Sequence, residues 1–63
     1  MEYRDEVIRM LGRLEEDKHL ALLMSNTFQA GLDALDPGSP WYVQDRAIRE
    51  CVYQGLRYQL LTA

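Results

Sequence analysis

Glu15, Glu16, Asp17 and His19 are the residues whose types and spacing come nearest to doing chemistry. They place carboxylates and an imidazole within about one helical turn, the makings of an acid–base pair or a cation site. Four residues apart, Glu15 and His19 would share a helix face. A metal would need further ligands from elsewhere, and beyond the prolines the chain offers only Asp45, Glu50 and Cys51. Such a run is ordinarily a solvated face, here with Arg13 and Lys18 as local counter-charges. Cys51 carries the element for nucleophilic attack, yet no histidine lies within local reach to take its proton. It reads instead as a small packed apolar side chain. His19 is the only histidine and Cys51 the only cysteine, which excludes a cysteine/histidine zinc site and an intrachain disulfide. The expectation is no enzyme, no metal and no cofactor.

What remains is recognition. Tyr42, Arg46, Arg49, Tyr53 and Arg57 recur along one side of a helix, with Glu50 beside them and Leu60 and Leu61 at the end. Tyrosine and arginine anchor protein partners because they present wide, stiff or forked contact surfaces at modest entropic cost. This ridge is the expected partner-binding site for another protein, and its guanidinium groups would select for an acidic surface. The opposite half of the same helix carries Ala47, Tyr58, Cys51, Gly55, Ile48, Trp41, Val52 and Leu56, the expected core face. Trp41 is expected to close the end of the fold against Phe28, Leu32 or Leu35.

The elements that would position these residues follow from one clear break. Asp36-Pro37-Gly38-Ser39-Pro40 combines helix-ending residues with a restart signal, since Ser39 can cap a helix and Pro40 lacks the amide that a first turn leaves unpaired. One helix is predicted over 2–35, a turn at 36–39 and a second helix over 40–62. Val7, Leu11, Leu14, Lys18, Ala21, Ser25, Phe28, Leu32 and Leu35 recur at alternating intervals of four and three, the rhythm of a bundle seam. The first helix has candidate breaks at Asp17 and at Ser25-Asn26-Thr27, but the heptad phase runs through both, which favours continuity. Gly12 and Gly31 weaken it, or mark close helix approach. Leu20-Ala21-Leu22-Leu23-Met24 is apolar on every side, as suits either the centre of an assembly or a nearby break. No strand is predicted. The fold class is all-α, an antiparallel helical hairpin in a single domain over 1–63.

Sixty-three residues bury only about 60% of the surface that their unfolded chain exposes, which leaves a lone hairpin marginal. With disulfide and zinc excluded, association is the remaining supplement, so a homodimer is expected. Two hairpins would pack as a four-helix bundle on an oligomer core of Leu11, Leu14, Ala21, Phe28, Leu32, Ile48, Val52 and Leu56.

Charge narrows the partners. The net charge of −3 argues against nucleic acid and anionic membrane, which both want a basic surface. Residues 1–39 hold eight acids and four bases, residues 40–63 two acids and three bases, so the second half could face the acidic first half of another copy or an acidic partner. No stretch approaches the roughly 18 apolar residues of a membrane span. The mixed-charge start Glu2-Tyr3-Arg4-Asp5-Glu6 lacks an apolar signal core, and a single free thiol suits a reducing compartment, so the expected location is cytoplasmic.

From Asp36-Pro37 through Tyr42 to Ala47-Ile48, and on to Leu56, Tyr58 and Leu60, the second half resembles the small helical-hairpin co-chaperones of type III secretion needle subunits. The resemblance implies an adaptor whose long C-terminal helix docks on a helical partner, with Tyr42, Tyr53 and Arg57 facing it. The alternative, on size and charge, is a phage-encoded inhibitor that binds and blocks a host protein.

Overall fold

The computed structural model describes residues 2–63, in which the chain forms four α-helices and no strand. They are α1 (Glu2–Leu11), α2 (Glu16–Leu23), α3 (Asn26–Ala34) and α4 (Arg46–Leu61). The all-α class expected from the periodicity holds. The long helix over 2–35 does not: it is broken twice, and each break has a local cause.

The first break falls at Gly12. There the i→i+4 ladder gives way to tighter bonds, from the Arg13 amide to the Met10 carbonyl and from the Leu14 amide to the Leu11 carbonyl. Glu15 is extended and precedes α2 without a side-chain cap, while Glu16 and Asp17 set negative charge against the helix's positive end. His19 then reaches back across the joint, its Nδ1–H donating to the Leu11 carbonyl at 3.0 Å. The imidazole thus adds a second donor to a carbonyl at the end of α1 that already accepts from the Leu14 amide.

The second break falls at Ser25, one of the two candidate positions. Its hydroxyl accepts from the Phe28 amide at 3.3 Å, and Gln29 donates from Nε2 to the Leu23 carbonyl at 2.8 Å. One residue starts α3 while another closes α2. Between the breaks, Leu22 and Leu23 turn inward, whereas Leu20 and Met24 face outward, Met24 being 83% exposed.

The restart at Pro40 is also displaced. Ser39 does accept from the Trp41 amide at 3.1 Å, but only a turn follows. The Val43 amide bonds instead to the Ala34 carbonyl at the end of α3, and Asp45 caps α4 through Oδ1, which accepts from the Ala47 amide at 2.8 Å and the Ile48 amide at 3.2 Å. A carboxylate serving two amides of the first turn outweighs a hydroxyl serving one.

The core comprises Val7 and Leu11 from α1, Phe28, Leu32 and Leu35 from α3 and its end, and Leu56 and Leu60 from α4. Five of these seven belong to the heptad series, so the seam is real although the helix carrying it is not continuous. Tyr3, Met10, Leu14, Leu22, Leu23, Val52 and Tyr53 pack around it. The last helix lies against α1 and α3, and α2 against α3.

A single copy is close to the compactness of a folded monomer of its length. The radius of gyration is 11.0 Å, against about 10.6 Å for a folded chain of this length. Its accessible surface is 4413 Å², where a monomer of this mass exposes about 4200 Å². Leu11, Phe28, Leu32 and Leu56, expected at an oligomer seam, are therefore spent within one chain. Leu14 and Val52 are half-buried beside them, and Ala21 and Ile48 stay outside.

Candidate interaction surface

Most of the tyrosine and arginine ridge is committed to holding α4 and the segment before it in place. Arg49 turns toward the protein, where one guanidinium nitrogen donates to the Val43 carbonyl at 2.8 Å and to the Gln44 carbonyl at 2.7 Å. Its guanidinium carbon lies 5.0 Å from the centre of the Tyr42 ring, a cation–π contact. These two residues pin the loop between α3 and α4. Tyr53 stacks on Tyr3 of α1, ring centres 4.9 Å apart and planes at 25°, and packs against the core. Of the five, only Arg46 and Arg57 are exposed.

Because Arg49 serves two carbonyls that no helix can reach, Arg49→Ala is expected to lower stability by about 1–3 kcal/mol. Arg49→Lys should recover only part of that, since an ammonium cannot lay a planar cation over the Tyr42 ring. Thermal melts followed by circular dichroism, with exchange rates of the loop amides, would show it.

The half of α4 expected to be core is mostly the outward half. Ala47, Cys51 and Gly55 are exposed, Ile48 is 53% exposed and Tyr58 69%. Leu56 alone of that half is buried, and Val52 is half-buried. The reason is area. Alanine, cysteine and glycine have little apolar surface to hide, whereas Leu56 at the border of that half, and Leu60 and the Tyr53 ring beyond it, have much. The inward line of the helix is set by Leu56 and Leu60, with Val52 and Tyr53 flanking it. Trp41 does not close the fold against Phe28, Leu32 or Leu35; it lies in the loop 73% exposed, because the helix that would have carried it begins only at Arg46.

The result is an outward face whose centre carries no charge. Ala47, Cys51 and Gly55 follow one another at four-residue steps, with Ile48 on one edge, Tyr58 above them and Leu61, 67% exposed, at the end. A Cβ built at Gly55 meets nothing within 4 Å. Arg46, Glu50 and Arg57 border this face on its other edge. The Glu50 carboxylate accepts from the Tyr3 hydroxyl at 3.3 Å. Neither it nor Arg57 belongs to an ion pair among the described residues, where the pairs are Arg4–Asp36 and Arg9–Glu6. A shallow concavity bounded by Ala47, Glu50, Cys51 and Gln54 runs along the same surface.

The residues first singled out for chemistry are not brought together. Glu15, Glu16 and Asp17 are solvated, His19 is tied to Leu11, and Cys51 lies on α4, exposed rather than packed. No group of His, Cys, Asp and Glu among the described residues could hold a metal ion. Among those residues, too, no helix is long and apolar enough to cross a membrane.

Comparison with protein-family models, with curated proteins and with solved structures gave no match.

Proposed function

We propose that the chain is a protein–protein interaction module without chemistry of its own, an adaptor of co-chaperone type that binds a helical partner through the outward face of its C-terminal helix. The observation that carries this reading is the uncharged strip of α4. Ile48, Tyr58 and Leu61 are each more than half exposed around the small residues Ala47, Cys51 and Gly55. Small residues let a second helix approach closely, and large apolar neighbours supply the area that such an approach hides. Arg46 and Arg57 border the strip and favour carboxylates on the partner.

The ridge from Tyr42 to Arg57 thus takes a divided role. Tyr42, Arg49 and Tyr53 shape the module, and Arg46 and Arg57 meet the partner. A tagged chain used as bait gives the test. Ile48→Ala/Tyr58→Ala is expected to lose about 2 kcal/mol or more of binding to whatever the wild type retains, the usual scale of an aromatic anchor, while the helical melt stays unchanged. Equal retention by both proteins would end the reading.

A further inference from the structure

We infer that the occupant of this face is a second copy of the chain, its α4 running antiparallel to the first about a two-fold axis at the level of Tyr53 and Gln54. The inference rests on the binding-module reading above and names the partner.

Charge complementarity selects this arrangement. In antiparallel helices related by a two-fold axis, matching edges face each other, and residues meet when their distances from the axis are equal and opposite. Glu50 and Arg57 lie on one edge of the strip and on opposite sides of that level. Each Glu50 therefore faces the other copy's Arg57, twice over. A parallel two-fold pairing would bring opposite edges together, setting Glu50 and Arg57 against the uncharged edge that carries Ile48 and making neither ion pair. The same register lays Cys51 over Gly55 of the other copy and Ile48 beside Tyr58. The open space above Gly55, where an added Cβ meets nothing, receives the thiol side chain. A small residue under each crossing chain lets the backbones approach, and ridges at four-residue steps interlock.

Area sets the strength. A face of one 16-residue helix hides less than the roughly 800 Å² per partner of a standard interface. Each copy already has its own core, so the two associate as folded units and come apart as folded units. Dissociation in the range of about 1–100 µM is expected.

Sedimentation equilibrium of the full chain across that range, at low and high salt, is the experiment. The wild type is expected to pass from monomer to dimer. Glu50→Arg and Arg57→Glu should each weaken the dimer about tenfold, and the double variant Glu50→Arg/Arg57→Glu should recover it. Gly55→Leu should abolish the dimer and leave the monomer's circular dichroism intact. A wild type that stays monomeric throughout overturns the inference, as does a dimer indifferent to Gly55→Leu and to both charge reversals. If that monomer still captures another protein and Gly55→Leu abolishes the capture, self-association falls and the interaction-module reading stands. If neither is seen, both fall.

Discussion

Phe28→Ala is expected to leave much of the chain unfolded at room temperature. Phe28 is completely buried at the meeting of the helices and is the largest of the fully enclosed side chains. Truncating such a ring costs about 3–5 kcal/mol, through lost transfer free energy and the cavity left behind. A domain of 63 residues has about 3–9 kcal/mol in all, on the usual scale per residue. Seven buried residues make the core, so little remains to reorganise around the loss. Urea titration monitored by circular dichroism should show the midpoint falling toward zero denaturant. Leu61→Ala, on the exposed face of α4, should change the unfolding free energy by no more than about 0.5 kcal/mol. Equal effects from the two changes would mean that Phe28 is not the centre of the fold.

Gly31→Ala should destabilise the protein even though helix propensity alone favours alanine by about 1 kcal/mol. The added Cβ would lie 2.7 Å from Cδ2 of Leu56 and 3.1 Å from its Cγ and Cδ1. Leu56 is buried against the core and cannot swing clear without displacing its neighbours. Overpacking of this kind costs about 1–3 kcal/mol. The decisive measurement is the sign in a second background. Leu56→Ala alone should cost about 2–5 kcal/mol, and adding Gly31→Ala to it should then stabilise, because the clash is gone and the methyl enters the vacated space. A double-mutant cycle from denaturant melts gives the coupling directly. Gly31→Ala that stabilises the wild-type background would show that α3 and α4 stand further apart.

These two sites show what the sequence could and could not convey. The seam was legible because burial demands large apolar side chains at helical intervals, and Val7, Leu11, Phe28, Leu32 and Leu35 are the buried members of that series. The breaks within it were not, because a heptad phase carries through a short turn as readily as through a helix. Gly12 and Ser25 each sit where local hydrogen bonds replace the ladder, and such bonds depend on partners, His19 for one joint and Gln29 for the other, whose reach across the turn no spacing rule reveals.

The outward face of α4 was misplaced for a different reason. Both halves of that helix carry apolar residues, and the wheel gives no weight to size. The inward line runs along the border between the halves, through Leu56 and Leu60 with Val52 and Tyr53 beside it, and leaves Ala47, Cys51 and Gly55 outside. Arg49 could not have been found on the wheel. A guanidinium serving two loop carbonyls is visible only once the chain before α4 is known to be a loop.

Packing of α1 against α4 joins the first and last helices, with Tyr3 stacked on Tyr53. Helical proteins usually fold fast because their contacts are local. Here the central enclosure waits for α1 and α4 to find each other, an encounter that carries a larger loop-closure entropy than the packing of α2 on α3 or of α3 on α4. During synthesis, Val7 and Leu11 stay without their covering until α4 has been made, and a ribosome-bound intermediate therefore presents greasy surface for nascent-chain factors to shield.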